Sequence, residues 1–287
     1  MARTGQGRFT AYWLLAPGAI WLGLFFVVPF YSLVSASLFD PNGSVLTGYK
    51  VTFHLQNFVD VIKAYHPELL RSLWYAGLAT FVCLLIGYVL AYAIAFKGGK
   101  WRNLLLVLVI APFFTSFLLR TLSWKLILSD HGFVVSTMKN LHLNFLLHNG
   151  TLLNTWIAVV AGIVYNFLPF MVLPLYASLE KIDGRLVEAA GDLYANPFTT
   201  FFKVTWPLSL PGVVAGTLLT FIPAAGDYIN AQLLGSPGQR MVGNVIQSLF
   251  TTTQDYAAAG ALSVILMALI IVMVLFYIRK AGTEELI

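Results

Sequence analysis

EKIDGRLVEAAGDLYANPFTTFFKVTWP, residues 180–207, is a charged island set between two long apolar runs. Asp183 can cap a helix that starts after it, and Leu186, Ala189, Ala190 and Leu193 recur at i, i+3, i+4 and i+7, giving a short helix one apolar stripe. Pro197 is expected to end that helix, because it has no N–H to donate and its ring clashes with the preceding turn. A second short amphipathic stretch, 198–205, leads into Trp206-Pro207-Leu208-Ser209-Leu210-Pro211-Gly212, where the next apolar run begins. The expectation is a helix, a break and a second helix. Ala189 and Ala190 leave the first helix shallow enough for another backbone to approach, and Glu188 and Asp192 can accept hydrogen bonds from a partner. The segment has the makings of a docking knob.

On both sides of this island the chain is built for lipid. Of its 287 residues 59% are hydrophobic and 10% charged, against roughly 25% charged in a soluble domain. No soluble core of this size could bury so much apolar surface, so the bilayer must serve as part of the solvent. Runs of about 20 residues, enough to cross a hydrocarbon layer, lie near 12–38, 73–96, 104–128, 152–179, 206–229 and 257–278. The fold class is therefore an all-α membrane protein of about six transmembrane helices, with residues 1–287 forming a single transmembrane domain and 180–207 a loop within it. Arg3 and Arg8 precede the first run as in a secretory leader, but that run far exceeds the roughly 7–15 apolar residues of a leader, so it reads as a retained helix. The segments 40–70 and 129–151 mix apolar and polar residues and could hold short interfacial helices.

Lys and Arg set the orientation. With the N-terminus in the cytoplasm, ten of the 17 fall inside, five outside, and Arg120 and Lys125 within the third span. This excess places both termini of the multi-pass chain in the cytoplasm. The clearest single signal is the basic turn Lys97-Gly98-Gly99-Lys100-Trp101-Arg102 between the second and third spans. The 180–207 island is then cytoplasmic, and His54, His66, His131, His142 and His148 are external loop residues with no partners for a metal shell. The net charge of +5 comes from residues at span ends, without the aromatic-interleaved basic patch that would indicate nucleic acid. Cys83 stands alone inside an apolar run, which excludes an intramolecular disulfide.

Polar groups inside the spans mark a candidate pathway, since a charge at the bilayer centre costs about 2.5–3.5 kcal/mol and usually faces a cavity or a partner. Arg120 lies nearest the middle of span three, where pairing with Asp227 at the outer end of span five or lining a wet cavity would satisfy it. Asp227, beside Tyr228, is the better candidate for facing a cation. Asn166 in span four either joins the pathway or bonds to another helix, and Tyr165 next to it offers a ring face to a cation. Pro112, Pro169, Pro174 and Pro223 interrupt their spans and free backbone carbonyls.

Glu188-Ala189-Ala190, with Val204 and Pro207 standing 14 and 17 residues after Ala190, resembles the EAA loop of bacterial ABC importer permeases, whose pattern is E-A-A-x3-G-x9-I-x-L-P. Tyr194 replaces the glycine, Val204 the isoleucine and Trp206 the leucine. Glycine would relax the turn, so with Tyr194 in its place the bend is expected at Asn196-Pro197 instead. The resemblance covers nearly the whole chain, including Leu15-Ala16-Pro17 with Pro29, the run from Pro112 to Thr121, Phe167-Leu168-Pro169-Phe170 and Gly226-Asp227-Tyr228, and it points to the spermidine and putrescine branch. It implies a type I importer permease fold, a second homologous permease subunit, two ATPase subunits and an external substrate-binding protein. It also implies that Glu188, Ala189, Ala190, Asp192, Tyr194 and Pro207 couple to the ATPase.

The chain contains no G-x-x-x-x-G-K-[ST] phosphate loop, so ATP and Mg are expected on the partner ATPase, with no cofactor and no catalytic residue on this chain. The function expected is inward passage of a small solute, a polyamine first, with ferric ion or sulfate as alternatives. An ion-coupled secondary carrier is the rival of a different class, but the inverted internal repeats of such carriers are not visible. A membrane enzyme would need clustered acid-base or metal-binding groups, and a simple channel would need no docking helix.

Overall fold

The computed structural model describes residues 6–43, 47–130, 132–141 and 150–281. His131, His142 and His148 lie outside the described residues. Among the described residues the regular elements are helical, apart from one isolated antiparallel bridge between Phe39 and Val51. Five helical segments are long and apolar enough to cross a membrane: Trp13–Ser37, Gln56–Lys97, Trp156–Leu179, Pro197–Ala225 and Tyr256–Lys280. A bent pair, Gly99–Phe114 and Phe117–Ile127, makes a sixth if taken as one span.

In chain order the α-helices are α1 (Gln6–Leu22), α2 (Val28–Ser37), α3 (Gln56–Tyr92), α4 (Arg102–Ile110), α5 (Phe117–Ile127), α6 (Phe133–Asn140), α7 (Trp156–Leu179), α8 (Gly184–Asp192), α9 (Pro197–Thr200), α10 (Trp206–Ala225), α11 (Ile229–Leu234), α12 (Val242–Ser248) and α13 (Tyr256–Ala281). Proline explains several interruptions. Widened π turns at Gly23–Val27 and Phe201–Thr205 come just before Pro29 and Pro207. A proline cannot donate to the carbonyl four residues back and its ring crowds that oxygen, and a wider turn gives the oxygen room.

Two spans differ from the sequence expectation. The third is not one helix over 104–128. After α4 comes a 3-10 turn, Ala111–Phe114, which contains Pro112, then Thr115 and Ser116 in extended conformations. The axis turns by 95° there. The second span starts well before residue 73, because α3 runs from Gln56 and is disturbed only at Tyr65 (φ −123°, ψ 15°) ahead of Pro67. Pro67 cannot bond the Lys63 carbonyl, and His66 Nδ1 lies 3.2 Å from that oxygen. That ring nitrogen replaces the missing amide when it carries the proton.

The described residues form two compact units, one from those up to 66 together with 246–267, the other from those between 67 and 245 together with 268–281. In the first, Asn57 Nδ2 donates to the carbonyls of Ser37 (3.1 Å) and Phe39 (2.9 Å), satisfying backbone oxygens at the end of α2. Tyr49 Oη donates to the Gln254 carbonyl at 2.8 Å and stacks edge-on against Tyr256.

In the second unit α7 and α10 pack side by side, and Gly212 and Gly216, four residues apart on α10, permit the approach. A Cβ on Gly212 would lie 2.7 Å from the Pro174 carbonyl oxygen, and one on Gly216 would lie 2.8 Å from Met171 Sδ. The side chains of Met171, Val172, Leu175 and Leu179 are fully buried. Gly212→Ala meets backbone rather than a flexible side chain, so it forces the helices apart at a cost of about 1–3 kcal/mol. The Gly184→Ala change meets open space. In thermal melts of the detergent-solubilised chain the first variant unfolds at lower temperature and the second melts within error of the parent.

Candidate functional site

The 180–207 connection is built by local rules. Asp183 Oδ1 accepts from the Arg185 amide at 3.0 Å and starts α8. The helix stops at Leu193, and Pro197 does not end it. Tyr194 takes the left-handed conformation (φ 58°), and the amides of Tyr194 and Ala195 donate back to the carbonyls of Gly191 and Ala190 at 2.9 and 3.0 Å. This is the Schellman arrangement, in which glycine is the favoured left-handed residue. The bend therefore falls at Tyr194, not at Asn196-Pro197. The closing hydrogen bonds outweigh the steric cost of a side chain in that conformation, about 1–2 kcal/mol. Asn196 and Pro197 instead open the next helix, with Asn196 Oδ1 accepting from the Thr199 amide at 2.7 Å and Pro197 in the first turn.

No residue of α8 is buried. Leu186, Leu193, Phe198 and Phe202 are exposed, and Tyr194 is 99% exposed. The apolar stripe expected from the sequence exists, and the described chain leaves it uncovered. Glu188, Ala189 and Asp192 also lie exposed on this short helix, and Ala190 is half-buried.

Both ends of the connection are anchored. Glu180 forms an ion pair with Arg102 of the basic turn, and Arg102 Nε also donates to Tyr176 Oη. Hydrogen bonding from Tyr176, then from Arg102, holds the Glu180 carboxyl below the usual carboxylate range. At the far end Tyr88 of α3 shares a 2.8 Å hydrogen bond with the buried Ser209 and packs against the rings of Trp206 and Phe201. Pro207 sits in the first turn of α10. The connection is therefore tied directly to α3, α7 and α10.

Away from this connection, α5, α7 and α11 enclose a buried polar cluster. Asn166 Nδ2 donates to Asn230 Oδ1 (3.1 Å) and Thr121 Oγ1 (3.2 Å). Asp227 accepts from the Asn230 amide and from Asn230 Nδ2, both at 2.9 Å. Asp227 is thus buried and caps α11. The cluster joins Asn166 to Asp227 through Asn230, and Thr121 is a member that the sequence reading missed. A short polar side chain beside Arg120 in an apolar run was the available signal. Tyr228 is partly exposed, and its carbonyl accepts from Asn244 Nδ2 at 2.7 Å.

Arg120 does not pair with Asp227. Its guanidinium lies 5.2 and 5.6 Å from the ring centres of Phe113 and Phe117, and it lines a cavity of about 350 Å³ together with Thr115, Ser123, Trp124, Ile127 and Tyr165. Tyr165 packs edge-on against Trp124 at 5.3 Å. Lys125 is exposed. Among the described residues no three His, Cys, Asp or Glu side chains gather in a way that could hold a metal.

A helical membrane chain with an uncovered amphipathic connection before its penultimate span has the form of a transport subunit worked by a partner. Residues 83–281 match the family described as binding-protein-dependent transport system inner membrane components, and the chain belongs to that family of ABC importer permeases, multi-pass proteins of the inner membrane. It is 38% identical over 260 residues, 90% of each chain, to the spermidine/putrescine transport system permease protein PotB of Haemophilus influenzae. Against the protein of the same name from Escherichia coli it is 36% identical, covering 91% of this chain and 94% of that one. Its fold matches a chain of a bacterial ABC transporter involved in import of the acidic polysaccharide alginate, with TM-score 0.73, 17% identity and coverage of 98% and 97%.

Replacing Tyr194 with glycine removes the cost of its left-handed backbone, while valine raises it. In hydrogen–deuterium exchange of the solubilised chain, Tyr194→Gly slows exchange of the amides at 194 and 195 and Tyr194→Val speeds it. Equal exchange in both variants would show that the Schellman closure carries no strain.

Proposed function

We propose that this chain is the polyamine-conducting permease of an importer, taking spermidine or putrescine inward, and that residues 180–207 are its cytoplasmic coupling loop. The observation that carries the coupling role is the bare apolar and acidic surface of α8 and α9, fixed at both ends to membrane helices. A separate ATPase docks there, with Glu188 and Asp192 as acceptors, Ala189 and Ala190 as the close-approach surface, Tyr194 as an exposed aromatic contact and Pro207 at the point where the loop enters α10. Closure of two such ATPases, which hold ATP and Mg, pushes on the loop, and the packed α7–α10 pair carries the push into the spans. The polyamine assignment draws on the names carried by the relatives that match nine-tenths of the chain.

In this reading the whole chain works as one transmembrane permease domain. Both termini are cytoplasmic, which places the basic turn 97–102 and the 180–207 loop on one side, as the bias of Lys and Arg requires. A second homologous permease completes the pore, and an external binding protein delivers the substrate. The pathway runs along the side of the chain where Tyr165 and Arg120 line the cavity and Tyr228 is partly open, and the Asp227–Asn230–Asn166 cluster supplies polar support behind them.

Reconstitution with the candidate ATPase, second permease and binding protein, followed by competition of labelled spermidine uptake, tests this reading. Putrescine competes and ferric ion and sulfate do not. In the same assay Glu188→Lys abolishes ATP-driven uptake while membrane insertion stays normal, and full uptake by that variant would remove Glu188 from the docking surface. Asp227→Asn weakens uptake more than ATPase association, because Asp227 holds the polar cluster behind the pathway and lies away from the loop. Uptake equal to the parent would take Asp227 out of the pathway.

A further inference from the structure

Among the described residues Arg120 is a cation without an anion. It is 8% exposed, and its Nε and Nη1 are buried with no acceptor among the described residues. Arginine does not escape such a position by losing its proton. The rings of Phe113 and Phe117 offer weak compensation. Asp227 gives none: it accepts from the amide and side chain of Asn230 and makes no ion pair with Arg120. The N-terminus of α5 carries no side-chain cap, and its helix dipole adds positive potential in the turn that holds Arg120.

The cavity beside Arg120 is therefore an electropositive socket, and depth narrows what can fill it. From Arg102 at the basic turn to Phe114 is about 20 Å of helix, short of the roughly 30 Å hydrocarbon core. The axis then turns by 95°, so α5 departs from the line of α4 before that thickness is crossed. A lipid phosphate in the headgroup layer on the side of the basic turn does not reach Arg120. A polyamine is a cation and cannot be the counter-ion either. Leu119 and Ile127 of α5, which line the cavity, are 61% and 39% exposed, a rim suited to another protein surface in the membrane.

We propose that a carboxylate side chain from the second permease subunit enters this cavity and pairs with Arg120, making an intersubunit ion pair in the wall of the pore. The proposal rests on the paired-permease reading. A carboxylate can accept the guanidinium N–H groups as a fork, and the cavity has room for an Asp or Glu side chain. The isolated chain holds the charge at a cost that assembly relieves.

The test is co-expression of the second permease and the ATPase with the parent, Arg120→Lys, Arg120→Met or Arg120→Glu, measuring the second permease retained on purification. Arg120→Lys keeps most of it, and Arg120→Met and Arg120→Glu lose it by about tenfold or more. Changing the acidic residues in the partner's membrane segments to Lys, one at a time, restores assembly of Arg120→Glu at one position. Purified alone, Arg120→Met melts no lower than the parent, which separates lost pairing from misfolding. Parent-like assembly and uptake by Arg120→Met, a lower melting point of that variant alone, or no rescue at any acidic position would each overturn the ion pair. A parent chain that purifies with the ATPase but without any second permease would overturn the paired reading itself, an outcome visible before any variant is compared.

Discussion

Inside hydrocarbon, a backbone amide or carbonyl without a partner costs several kcal/mol, and this chain places prolines in most of its spans. Each break must be repaired from within. π turns precede Pro29 and Pro207, a 3-10 turn carries Pro112, and Thr115 Oγ1 donates to the Pro112 carbonyl at 2.8 Å. The interruptions that remain after such repair are where the chain changes direction or meets polar groups. The bend at Thr115–Ser116 places Arg120 beside a cavity, and the break at Gly226–Tyr228 lets Asp227 cap α11. Backbone satisfaction thus decides where a pathway can form.

Around these breaks the second unit is stiff. α7 and α10 approach closely enough that glycine is needed at 212 and 216, and large apolar side chains fill the remaining space. Stiffness matters for a subunit whose energy is supplied elsewhere. Tyr88, Trp206 and Ser209 tie the 180–207 connection to helices packed too closely for much local deformation. The Arg102–Glu180–Tyr176 cluster anchors the other end of the same connection.

Much of this was legible in the sequence. The helical class and all six apolar runs could be read by length, and the amphipathic 180–207 island by period. What the sequence hid followed from backbone details that periodicity does not encode. The 95° turn within the third run arises from Pro112 followed by two extended residues, and a hydropathy window sees only continuous apolarity there. The start of α3 at Gln56 was obscured because its first turns are polar and Pro67 looks like a boundary. Tyr194 was correctly singled out as a departure from the glycine pattern, but the inference that the bend would move was mistaken. The helix-closing hydrogen bonds fix the left-handed position, and the side chain accepts it. Among the pathway candidates, the link from Asn166 to Asp227 needed three dimensions, since Thr121 and Asn230 come from distant parts of the chain.

The uncovered strip formed by Leu186, Leu193, Tyr194, Phe198 and Phe202 has a consequence for how the cell must manage this polypeptide. An orphan copy, made faster than its companions, presents a greasy aromatic surface to the aqueous phase, which is the kind of feature that chaperones bind and membrane proteases recognise. How long such a copy lasts depends on whether that surface becomes covered.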